Sequence, residues 1–110
     1  MSLQHRELAA GRWMEMSFFE QMANIGSEIE RTVQWKNRGN AEYSRMAFER
    51  ALELLDLSIL DVRNRRRLKE IVRTREALAD HFAFKNSYNS TDEVWRKYFF
   101  SFAYAARAHR

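Results

Sequence analysis

Few side chains in this sequence could do chemistry. There is no cysteine, which removes thiolate nucleophiles, disulfides, iron–sulfur clusters and cysteine zinc sites. There are three histidines, His5, His81 and His109, two of them near the termini. None belongs to a Glu-x-x-His or His-x-x-x-His pair, the helical spacings that place two metal ligands on one face. No Gly-x-Ser-x-Gly elbow and no phosphate loop occurs. The residues therefore predict no hydrolytic or redox-metal centre, no metal and no cofactor.

Charge is the stronger signal. The net charge is +4, with residues 1–62 carrying −3 and residues 63–110 carrying +7. Arg63 to Arg75 alone holds seven Lys/Arg and one Glu. On an α-helical wheel Arg66, Lys69 and Arg73 share one stripe, a candidate anion or nucleic-acid surface. The alternative is a solvated face paired with Glu42, Glu49, Glu53 and Asp56, which gather on one side of the preceding helix. Such pairs would lie within the chain or across a dimer, and they set orientation more than stability. Arg75 falls about 180° from the basic stripe, among Leu68, Val72, Leu78 and Phe82. A guanidinium buried there needs a carboxylate, with Glu15 and Asp61 as candidates; otherwise it snorkels to an edge of the stripe or forms an anion site.

These groups must be positioned by helices. The 110 residues include no proline and three glycines, which disfavours hairpin-rich and glycine-loop folds. Apolar spacing predicts four helices, over about 11–37, 41–62, 65–82 and 92–108. Met14, Phe18, Met22, Ile25, Ile29 and Val33 form the stripe of the first, and Arg38-Gly39-Asn40 stops it. The break near Asp61–Asn64 has no Gly or Pro; either Asn64 caps the next helix or the two helices meet at a kink. Residues 83–90 read as a loop, followed by a capping box from Ser90 to Glu93. The expected fold is all-α, a single domain folded as an antiparallel up-down four-helix bundle. The N-terminal residues do not form a signal-peptide core, and the uncharged stretch 98–106 is too short to span a bilayer, so the expected location is cytoplasmic with no membrane partner.

Nine of fifteen aromatic residues lie between Phe82 and Tyr104. Phe100 and Tyr104 fall off the main stripe of the fourth helix, and Trp13 and Trp35 fall together off that of the first. A bundle helix buries one face, so these four residues predict a self-association surface and a homodimer. The aromatics are not interleaved with the basic stripe, which disfavours base stacking.

The segments 35–40, Trp-Lys-Asn-Arg-Gly-Asn, and 47–56, Ala-Phe-Glu-Arg-Ala-Leu-Glu-Leu-Leu-Asp, resemble those of small prokaryotic helical-bundle proteins. Arg75 to His81 is an Arg-x5-His, similar to the Arg-x4-6-His signature of HEPN-type helical bundles, many of which are RNases. The latter resemblance implies Arg75 and His81 as a catalytic pair acting on RNA at a dimer interface. Two features depart from that pattern: Glu76 stands where a smaller polar residue is usual, and an unbroken helix turns Arg75 and His81 about 120° apart. The overall expectation is a non-enzymatic interaction or scaffolding protein that self-associates and takes a protein partner, with an RNase or RNA-binding module as the alternative.

Overall fold

A computed structural model describes residues 11–108 of the chain. His5 and His109 lie outside the described residues. Among the described residues the elements are α1 (Phe18–Asn37), α2 (Ala41–Leu60), a 3-10 helix (Val62–Arg67), α3 (Leu68–Ala83) and α4 (Asp92–Ala108), with no strand. The fold is all-α, as the periodicity predicts. No helix of the described residues is long and apolar enough to cross a membrane.

Each boundary has a local cause. The first helix does not run unbroken from Gly11. Residues 11–13 are helical, the backbone then turns, and Ser17 restarts it with a capping box: its hydroxyl accepts from Glu20 N, and Glu20 reaches back to Ser17 N. At the far end Gly39 adopts φ +80, Asn40 N donates to Trp35 O, and Gly39 N donates to Lys36 O. This reciprocal pattern satisfies the last carbonyls of α1. Asn40 then caps α2 by accepting from Tyr43 N.

The break between α2 and α3 differs from the expected one. α2 ends at Leu60, and Asp61 turns the chain into the 3-10 helix by accepting from Arg63 N. Asn64 is no cap; it is buried and points inward. Because the segment to Arg67 is 3-10, Arg66 does not share an α-helical register with Lys69 and Arg73. The loop over 84–91 is made without Gly or Pro, since Asn86 and Asn89 take φ 54 and 57 themselves. The expected capping box at Ser90 is absent. Thr91 caps α4 instead, accepting from Val94 N, and Ser90 accepts from Trp95 Nε1.

One apolar cluster joins the elements: Trp13, Met22, Ile25, Ile29, Phe48, Ala51, Leu55, Ile71, Leu78, Trp95 and Phe99 are all buried in it. α1 is central, packing on α2 and on α4. Along α1 and α4, Phe18 meets Phe102, Gly26 meets Phe99, Glu30 pairs with Arg96 and Lys36 pairs with Asp92. Along α2 and α3, Phe48 meets Phe82 and Asp56 pairs with Arg75. Tyr98 links α4 to α3 through Thr74 and Glu70. Burial raises the Tyr98 phenol above its ordinary value; the Glu70 charge adds to this, and the Thr74 hydrogen bond opposes it.

Candidate functional site

Polar chemistry gathers at two ends of the fold. The first cluster is buried. Trp13 Nε1 donates to Ser58 Oγ at 3.0 Å, and Ser58 donates to Gln21 Oε1 at 2.9 Å. Gln21 Nε2 donates to Trp13 O at 3.0 Å and to Asp61 Oδ2 at 2.9 Å. Asn64 Nδ2 donates to Gln21 Oε1 and to Ser58 O. Arg63 closes the set, holding Asp61 through Nε and Nη2 and donating to Met16 O at 2.7 Å. The Arg63 hydrogen bonds, helped by Gln21, outweigh burial and bring the Asp61 carboxyl down to about 2. Each of these groups spends its hydrogen-bonding capacity on another, which makes the cluster a clasp between α1, α2 and the 3-10 helix. Sequence periodicity does not reveal it, because Gln21 and Asn64 are polar residues at interior positions.

The second cluster joins three helix ends. His81 Nε2 donates to Asp92 Oδ1 at 2.8 Å, and Lys36 Nζ lies 2.7 Å from Asp92 Oδ2. The His81 side chain is only 9% exposed, so it is not a surface histidine, and its Nδ1 is buried with no partner among the described residues. Burial raises the Asp92 carboxyl, but Lys36 and His81 outweigh it and leave it below its ordinary value. No group of three or more His, Asp or Glu side chains that could hold a metal ion occurs among the described residues.

The sequence-predicted site residues scatter between these clusters and the surface. Arg75 is not a buried cation and touches neither Glu15 nor Asp61. It reaches out of the apolar stripe, 36% exposed, to Asp56 at 2.8 Å. Arg75 and His81 thus have carboxylate partners on different helices, Asp56 on α2 and Asp92 on α4. Trp13 is not available to a partner molecule: it is 4% exposed within this chain, because the turn before Ser17 folds its indole onto Ser58. Trp35 is half-buried, edge-on to Tyr43 at 4.9 Å and beneath Arg38. Phe100 and Tyr104 do face outward, each 64% exposed. Phe100 is part of the lining of a groove of about 360 Å³ between α1 and α4, together with small residues (Ala23, Gly26, Ser27 and Ala103) and larger ones such as Trp95 and Arg96.

The expected match between the acidic side of α2 and the stripe of Arg66, Lys69 and Arg73 does not form. Of the acidic four, Asp56 takes Arg75, Glu49 pairs with Arg45 on its own helix, and Glu42 and Glu53 hold no basic residue among those described. Arg66, Lys69 and Arg73 are exposed and, among the described residues, unpaired. Comparison with protein-family models, curated proteins and solved structures finds no match for this chain.

Proposed function

We propose that this chain is a non-enzymatic interaction protein that self-associates through the α1–α4 face. The observation that carries the reading is the pairing, on one surface, of a projecting aromatic with a groove that small residues line in part. Phe100 stands out, 64% exposed, at the side of the groove that Ala23, Gly26, Ser27 and Ala103 line in part. A face carrying both knob and hole is self-complementary, which is the requirement of a two-fold homodimer. Tyr104, one turn on, extends the same apolar strip. The reading uses Phe100 and Tyr104 of the four aromatic residues first expected at an interface. Arg75 and His81 take no part in it; each is engaged with a carboxylate in its own helix pair.

The helices are read as an antiparallel up-down four-helix bundle. Contacts between neighbours pair early residues of one helix with late residues of the next: Gln21 with Ser58, Glu28 with Arg50, Phe48 with Phe82, and His81 with Asp92. The proposed location is the cytoplasm. Sedimentation equilibrium at micromolar concentration tests the self-association. The wild-type chain is expected at twice its 13.2 kDa mass, and the double variant Phe100→Ser/Tyr104→Ser at the monomer mass. A monomeric wild type overturns the reading.

A further inference from the structure

The basic segment acquires an aromatic neighbour that its sequence does not offer. Arg73, Glu76 and Ala77 of α3 line a shallow pocket of about 320 Å³ together with Tyr88 of the following loop. Tyr88 is 68% exposed, yet its backbone is fixed: Ser87 N and Tyr88 N both donate to the Asp80 carboxylate, at 2.8 and 3.0 Å, and Asn86 N donates to Asp80 O. Those two backbone donors lower the Asp80 carboxyl against a smaller opposing effect of burial. An exposed aromatic on an anchored backbone is a platform already in place for stacking.

Lys69 precedes Arg73 by one turn on α3, and Arg66 and Arg65 continue the positive charge into the 3-10 helix. All four are exposed and free of acidic partners among the described residues. We propose that this surface binds single-stranded nucleic acid. Phosphates follow Lys69 and Arg73 of α3, the exposed arginines of the 3-10 helix add positive charge before them in the chain, and a base stacks on the Tyr88 ring. A duplex keeps its base faces covered, and a phosphorylated or acidic peptide has no use for a stacking platform, so the combination favours a single strand. The Glu76 carboxylate on the pocket wall would repel phosphate. It suits the base end of the site, where it accepts from an exocyclic amino group. This proposal does not rest on self-association, because its residues lie on α3 and the following loop and the proposed dimer face lies on α1 and α4.

Fluorescence anisotropy of the full chain with a labelled mixed-sequence 12-nucleotide RNA, and with the corresponding duplex, tests it across a salt series. The single strand is expected to bind more tightly, with affinity falling as salt rises. Lys69→Ala/Arg73→Ala should weaken binding at least tenfold at low salt. It should also flatten the log–log salt slope by about 1.4, the value for two lost phosphate contacts to a single strand. Tyr88→Ala should weaken binding about tenfold and leave the slope unchanged, while Tyr88→Phe binds like the wild type. Lys69, Arg73 and Tyr88 are exposed, and circular dichroism of each variant checks that it is folded. Equal affinity for duplex and single strand, wild-type binding by Tyr88→Ala, a salt-independent affinity or no binding would each overturn the proposal.

Discussion

The Asp61 carboxylate accepts from Gln21 and from three nitrogens of Arg63, its backbone N, Nε and Nη2, and it is buried. Its carboxyl sits at about 2, below the 3.8 of a free aspartate. A depressed acid stabilises the fold at pH above its unfolded value and loses that contribution as pH falls through its folded value. The window is therefore about pH 4 down to about 2, and the amount at stake is ~2 kcal/mol. Urea unfolding followed across that range should show the loss in the wild type. Asp61→Asn should be less stable at pH 7 by a similar amount and nearly flat between pH 4 and 2. A wild-type profile with no slope there, beyond that of the variant, would show that Asp61 is not held in this way. The residues feeding the clasp come from two stretches, one holding Trp13 and Gln21 and the other Ser58 and Asn64, whose hydrogen bonds to each other span 37 to 45 positions. No local pattern marks them, and this is why Trp13 reads as a free aromatic until its indole is seen donating to Ser58.

Between elements, the packing of α1 on α4 depends on a residue with no side chain. A Cβ built on Gly26 would stand 2.6 Å from Phe99 Cβ, closer than two carbons can approach. Helix propensity alone predicts that Gly26→Ala stabilises α1 by about 1 kcal/mol. The contact predicts the reverse, a net loss of ~1–3 kcal/mol as the helices are forced apart or Phe99 leaves its rotamer. Thermal unfolding of the variant decides between them: a raised midpoint would mean that the two helices separate without cost. Gly39 behaves differently, because its φ of +80 is set by the end of its own helix and its role is legible in the sequence Arg-Gly-Asn.

Over the whole molecule, Asp92 is the point where α1, α3 and α4 are tied together. Lys36 and His81 both bind it from other helices. Removing its charge takes the counter-ion from Lys36 and replaces one of the two acceptor oxygens by an NH2 donor, so the buried imidazole and the lysine no longer each have an oxygen. Asp92→Asn should cost about 1–2 kcal/mol, given the partial exposure of Lys36. It should also speed amide exchange in the first turn of α4. Because the Asp92 carboxyl lies below its ordinary value, the tie is intact at neutral pH and weakens on acidification. Unchanged exchange across α4 would place the coupling elsewhere. Among the described residues the two polar clasps bracket the apolar core.

The sequence by itself determined the all-α class, the extents of α2 and α4 to within two residues, and the stops at Gly39 and the asparagine-rich loop. These features depend on residues three or four positions apart, where periodicity and capping act. It also located the basic run and the outward aromatics of α4. Only the tertiary structure decided which acid each arginine meets: Asp56 for Arg75, and Asp61 for Arg63. It placed Trp13 in the core and His81 under cover, and it set Tyr88 beside Arg73. The reason is geometric. A helix presents its side chains by spacing, but a partner on another helix is chosen by how the helices cross and by which desolvated polar group has no water left to bind.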